Sequence, residues 1–171
     1  MYPRHFQMFA SYNRWANAVV YDAVTTLGDE AFNRDVGAFF KSMCGTLNHI
    51  LVADRIWMQR FTGEGPAHTR LDEVPYPAFA GLKAAREAED ARIVAFADTL
   101  DDDRLRGTFT YTPITDPREI TQPLAPPLAH FFNHQTHHRG QAHTILSLLG
   151  EEAPPLDLIY YLRTEEGRAF A

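Results

Sequence analysis

Cysteine is almost absent from this chain: Cys44 is the only one in 171 residues. A single thiol excludes an internal disulfide and any multi-cysteine zinc or iron–sulfur cage. Long apolar runs are missing too, and none approaches the ~20 residues a membrane-spanning helix requires. The opening stretch MYPRHFQMFASYNRW lacks a basic segment followed by unbroken apolar residues, so no secretory leader is expected and the cytoplasm is the expected compartment. Positive charge is scarce, with 16 Lys and Arg against 22 Asp and Glu and a net charge of -6. Phosphate-backbone binding draws on clustered lysine and arginine, so neither nucleic acid nor a membrane is an expected partner. There is no internal repeat, low-complexity tract or composition shift. With 45% apolar and 22% charged residues, the composition is that of one globular domain spanning residues 1–171.

Histidine is what the sequence has in excess. Five of its eight (His130, His134, His137, His138 and His143) fall within fourteen residues, where even spreading would place fewer than one.

Hydrophobic periodicity sets the frame for that cluster. Phe6, Phe9, Asn13, Ala16, Val20, Ala23 and Leu27 recur at spacings of three and four, which predicts a first helix over Tyr2–Leu27. The stretch to Phe40 reads as irregular. A second helix is expected from about Lys41 to Thr62, stopped by Gly63, then a loop rich in glycine and proline to Pro77. A third helix is expected from about Tyr76 to Leu100. The run Thr108–Thr112, the turn Thr115-Asp116-Pro117 and Glu119-Ile120-Thr121 predict a short hairpin that must lean on the helices. A fourth helix starts near Pro126 or Pro127 and ends at Gly150, and a shorter one follows over about Pro155–Glu166. Four long helices with narrow apolar stripes bury them together only as a bundle, so the expected fold class is all-α.

The stripe of the fourth helix is Leu128, Phe131, His134, His138, Ala142, Ile145 and Leu149. His134 and His138 interrupt it one turn apart, a spacing that lets two imidazoles converge on one metal ion. His49 interrupts the second helix near its midpoint, beside Leu47, Ile50 and Leu51. Midpoints of packed helices meet whichever way they run, so the three rings can share one level of the bundle. Two core histidines satisfied by neighbouring side chains or water are the alternative, and burying neutral imidazoles without partners is costly. Three histidine ligands would leave a position open for chemistry.

Other polar residues are weighed against the same frame. Gln141 lies on the face of His138 and can orient a histidine ring; His137 is a second candidate for that supporting role, with His130 open between support and surface. Asn13 interrupts the first stripe and is either a lining of a polar pocket or a satisfied core amide. Arg86 and Glu89 read as a solvated pair, and His5, His68 and His143 as solvated. Cys44 reads as a small buried hydrophobe, and Gly140 as a point of close helix approach.

Asn133-His134-Gln135-Thr136-His137-His138-Arg139-Gly140-Gln141 resembles the His-x-x-x-His-Arg-Gly-Gln signature of the DinB/YfiT-like family. The match extends to Asn48-His49 with Trp57 and to Tyr12-Asn13-Arg14-Trp15-Ala16-Asn17, in the family's order and over nearly the whole chain. This resemblance implies an up-down-down-up four-helix bundle, a homodimer, and a divalent metal on the residues matching His49, His134 and His138. Some relatives are thiol-dependent transferases and others mycothiol-dependent isomerases. The function expected by that resemblance is metal-dependent activation of a low-molecular-weight thiol for transfer to an electrophile, with Zn²⁺ or Ni²⁺ as cofactor and a small-molecule substrate. A metal-dependent hydrolase and a non-catalytic metal- or ligand-binding bundle are the alternatives.

Overall fold

A computed structural model describes residues 2–114 and 116–171. Its long helices are α1 (Tyr2–Val24), α3 (Met43–Thr62), α4 (Phe79–Asp98) and α6 (Ala125–Leu148). Short ones lie between and after them: α2 (Asp29–Asn33), α5 (Asp102–Arg106), α7 (Leu158–Tyr161) and a closing 3-10 turn, Gly167–Phe170.

Pairs of touching residues fix the directions of the four long helices. Asn13 meets Asp90 and Asp22 meets Lys83, so α1 and α4 are antiparallel. His49 meets His138 and Trp57 meets His130, so α3 and α6 are antiparallel as well. Phe6 stacks on Phe132 while Asn13 bonds Arg139, which makes α1 and α6 parallel. Asp54 pairs with Arg86 and Phe61 stacks on Phe96, which makes α3 and α4 parallel. The order is therefore up-down-down-up, with α1 diagonal to α3. Because α3 and α4 run the same way, residues 63–78 must travel back along the bundle. That return carries Leu71 past the level of His49.

Local chemistry sets the helix ends. Ser42 caps α3 by accepting a hydrogen bond from the Gly45 amide at 3.1 Å, and Gly63 closes it in the left-handed region at φ 76, as helix ends favour. A Cβ at Gly45 would lie 2.1 Å from the Phe40 carbonyl oxygen. Only glycine lets the turn at residues 38–42 fold against the first turn of α3, and that turn lays Phe40 on His49, with ring centroids 3.8 Å apart. Proline stands in the first turn of α6, where a missing N–H costs nothing.

Several expectations are revised. The first helix ends at Val24, with Thr25–Leu27 in a turn. The stretch to Phe40 contains α2, whose buried Phe32 packs edge-on against Phe79. The hairpin forms in the register Thr108↔Pro123 to Tyr111↔Ile120, its second strand starting at Ile120; Thr115 of the expected turn lies outside the described residues. The helix expected over Pro155–Glu166 shortens to one turn, because Pro154 and Pro155 and the extended stretch after them delay it to Leu158. Nothing lies within 4 Å of a Cβ built at Gly140, so close helix approach is not its role.

The core has two apolar halves. One gathers Val20, Val24, Leu47, Leu51, Leu82 and Ile145, and the other Phe6, Met58, Phe61, Ile93, Leu128 and Phe131. Between these halves α1, α4 and α6 bury polar residues, Asn13, Asn17, Arg86, Glu89, Asp90, Gln135, His138 and Arg139, beside a small third apolar cluster of Tyr12, Ala16 and Tyr161. On α3 Asp54 occupies the same middle.

Candidate metal centre

His49, on α3, is 4% exposed, and His138, on α6, is 9% exposed. His134 stands one turn before His138 and is half-buried. The three ring centroids are 4.3 to 5.3 Å apart, and one ring nitrogen from each lies within 4.8 Å of the other two. The helices thus bring together the three residues that the spacing singled out.

The outer nitrogens decide what the inner ones can do. His49 Nδ1 is 2.8 Å from the Leu71 carbonyl oxygen, and His138 Nδ1 is 2.8 Å from Gln141 Oε1. Both partners only accept, so each Nδ1 carries the proton and each Nε2 a lone pair. Those two Nε2 atoms face each other at 3.2 Å. With no proton between them the lone pairs repel, and a cation bound by both relieves the conflict. The donor set fits a divalent ion of the zinc type.

Electrostatics keeps the rings in the ligating form. Burial pushes the His49 pKa down to about 4, outweighing the Leu71 carbonyl that raises it. Burial, then the neighbouring His138 and His49, push His134 down to about 3. His138 is lowered too, again by burial, with Gln141 opposing. All three are neutral at pH 7, the state in which imidazole donates to a metal.

Gln141 sits where the sequence placed it, its amide bridging His138 to the exposed His137 ring, whose Nε2 is 3.3 Å from Gln141 Nε2. Asn13 does not join this group. Its amide nitrogen donates to Asp90 at 3.3 Å and its oxygen accepts from Arg139, so its partners are the two halves of an ion network rather than a histidine. Arg86 and Glu89, expected in solvent, are 2% and 5% exposed. Arg86 donates to Asp54 at 2.5 Å and pairs with Asp90 at 3.0 Å, while Glu89 meets Arg92 at 2.9 Å and Arg55 at 3.6 Å. The bundle can bury this charge because α3 supplies the counter-charges Asp54 and Arg55 and α4 itself Asp90 and Arg92, while α1 adds the neutral amides of Asn13 and Asn17. His68 is also held: Nδ1 contacts Glu73 at 2.7 Å, and that contact with two backbone amides pushes the Glu73 carboxyl down to about 2. Cys44 is buried beside Asn48 and Pro77.

Two cavities meet at the triad. One, of about 520 Å³, is lined by Phe39, Phe40, His49, Asp72, His134 and His138 among others. The other, of about 300 Å³, is lined by Trp57, Arg60, Tyr111, Ile114, His130 and His134 among others. Leu71 and Ile114 line both. Sequence reasoning missed the part played by Phe40, Leu71 and Tyr111, which come from loops and from a strand with no periodic signal, and by Arg60 in the last turn of α3. It also missed Gln135 and Arg139, whose four-residue spacing runs along α6 beside the histidine stripe.

The chain is similar to known proteins over most of its length. Among models of protein families, that of the DinB family matches residues 1–169. The chain belongs to the DinB family. It is 25% identical to Protein DinB of Bacillus subtilis (strain 168) over 166 residues, covering 88% of this chain and 90% of that protein. A crystal structure of a DinB-like protein from Bacillus cereus has the same fold, with a TM-score of 0.60 at 18% identity over 82% of this chain and 90% of that one. No helix among the described residues is long and apolar enough to cross a membrane.

Proposed function

We propose that this DinB family member is a metal-dependent enzyme in which His49, His134 and His138 hold Zn²⁺ or Ni²⁺ and a low-molecular-weight thiol is ionised for transfer to an electrophile. The observation that carries the reading is the pair of inward Nε2 atoms of His49 and His138 at 3.2 Å, on a cavity that both rings line and that meets a second one at His134. A divalent ion there would lower the pKa of an arriving thiol or water toward neutrality. His49 and His138 keep their donor atoms aimed inward because Leu71 and Gln141 hold their other nitrogens. The smaller cavity is walled by Ala53, Ile56, Trp57, Tyr111, Pro113 and Ile114. That apolar lining suits the body of a small organic substrate lying beside the metal ligands, and among the described residues no carboxylate stands there to act as base. His130, kept neutral by burial and by Arg60, faces the same cavity and can take the thiol proton.

Loading a Cys44→Ser chain with Co²⁺ and adding a small thiol tests this reading. Burial pushes the Cys44 thiol pKa up, and its removal leaves added thiol as the only source of a sulfur signal. A sulfur-to-metal charge-transfer band is expected, with faster conjugation of that thiol to 1-chloro-2,4-dinitrobenzene than in buffer and no gain from metal-free protein. No band and no rate, with bound water titrating near pH ~7, makes the protein a hydrolase; neither makes it a metal- or ligand-binding bundle.

A homodimer and a cytoplasmic location belong to the same proposal. The family resemblance supports the dimer, as do Ile159 and Tyr160, which are 53% and 43% exposed. Tyr161 beside them is buried against Tyr12 and Trp15. Sedimentation equilibrium showing only a 19.4 kDa species would refute the dimer.

A further inference from the structure

Arg60 stands apart from the other arginines around the centre. Arg55 pairs with Glu89, Arg70 with Asp72, and Arg86 with Asp54 and Asp90. Among the described residues Arg60 has no carboxylate partner; its one hydrogen bond runs from Nη2 to the Thr112 carbonyl at 3.1 Å. The guanidinium carbon lies 4.8 Å from the Trp57 ring centroid and 5.1 Å from that of Tyr111. Two aromatic faces thus hold the planar group in place on the wall of the 300 Å³ cavity that ends at His134.

A half-buried cation without a counter-ion carries a desolvation cost, and here burial does lower the Arg60 pKa. Fixing the hairpin to α3 needs only the Nη2 bond and the ring contacts. The remaining guanidinium N–H groups are left free, in a fork that matches a carboxylate, whose single charge the one guanidinium balances.

We propose that this cavity is the substrate pocket and that Arg60 is its anion subsite, taking the carboxylate of a small substrate whose flat or apolar body lies between Trp57, Tyr111 and Ile114. The inference rests on reading the triad as the reaction centre, which would face the other end of the same molecule. It narrows the electrophile to a class: small carboxylic acids with an apolar or aromatic body.

Benzoate and its uncharged isostere benzamide are the probes, titrated into the ¹⁵N-labelled full chain, both metal-free and Zn²⁺-loaded, while the Trp57 indole resonance is followed. Benzoate should shift that resonance in both metal states and show intermolecular NOEs to Trp57 and Tyr111, and benzamide should bind roughly ten-fold more weakly or worse. Arg60→Met should weaken benzoate by a similar factor, and Arg60→Lys should keep part of the affinity. Equal binding of the two probes, or NOEs to another surface, overturns the subsite; these wild-type measurements stand even if Arg60→Met loosens the hairpin. Benzoate binding that needs Zn²⁺ and ignores Arg60→Met sends the carboxylate to the metal and also overturns it, while sparing the metal centre. A chain that takes up no metal yet binds benzoate through Arg60 refutes the triad reading and keeps the subsite.

Discussion

Two polar clusters interrupt the core of this bundle, and they differ in whether opposite charges meet within them. On one side of the middle level, Asp54, Arg86, Asp90, Asn13, Asn17 and Arg139 alternate in sign or complement as donor and acceptor. Arg86 is claimed by two carboxylates, Asp90 accepts from Asn13 and Asn17, and Arg139 donates to the oxygens of both asparagines. Burial works against the Arg86 charge, yet Asp90 and Asp54 raise its pKa. On the other side, His49, His134 and His138 are three like groups with lowered pKa values, and two of them point lone pairs at each other. A cluster of opposite charges holds helices together, even with Asp54 Oδ1 and Arg86 Nε left without a hydrogen bond. A cluster left open at its centre is built for something that arrives.

The largest effect that separates the two is on metal content. Replacing both His134 and His138 with alanine should take the chain from about one divalent ion to none by elemental analysis, with the metal-free fold retained. Next in size is Arg86→Met, which strands Asp54 and Asp90 in the core. Breaking a buried ion pair from one side costs about 3–5 kcal/mol, so urea unfolding should show a loss of that order while folded chains still take up metal. If Arg86→Met abolished metal binding in folded protein, the two clusters would be one. Gln141→Ala should weaken metal affinity by roughly 10–100-fold, the usual cost of losing a group that orients a ligating histidine, with little change in unfolding free energy.

The smallest effect is a difference in slope, and the clusters give it opposite signs. The histidine pKa values are depressed in the fold, so between about 4 and the ordinary ~6.5 the unfolded chain binds more protons. Their contribution is present above ~6.5 and is lost as pH falls toward 4. Asp54 is raised to about 6, chiefly by burial, so its contribution is present below its ordinary value of 3.8 and is lost as pH rises through 6. In metal-free protein, Asp54→Asn should steepen the rise of stability with pH over this window, and the double histidine variant should flatten it. Slopes that changed in the reverse sense would contradict the assignment.

The sequence made the histidine side legible because of periodicity. His134 and His138 fall on a stripe whose other members are apolar, and His49 breaks a second such stripe, so both depend only on local helix geometry. The charge network was misread for the same reason. Arg86 and Glu89 look like solvent residues on one helix, and the counter-charges Asp54 and Arg55 of α3, with Asp90 and Arg92 of α4, offset the cost of burying them. Asn13 was correctly placed inside, but its partners lie 77 and 126 residues away, beyond any local pattern. The long helices could be read with their ends displaced by a few residues, whereas α2, α5 and the shortened terminal helix are too brief to show a period. Much of the walls of the two cavities comes from Phe40, Leu71, Tyr111 and Ile114, which the turn before α3, the return loop and the hairpin deliver by tertiary packing.

The central claim, that the histidine triad is an open divalent-metal site, is tested most directly by long-range ¹H–¹⁵N spectra of the imidazoles during a Zn²⁺ titration. Before metal, His49 and His138 should show neutral rings protonated at Nδ1. As one equivalent is added, the Nε2 resonances of both should move together with a ring nitrogen of His134, and stop moving at one ion per chain. Rings that start in the other tautomer, or stay still while zinc binds elsewhere, would contradict the account.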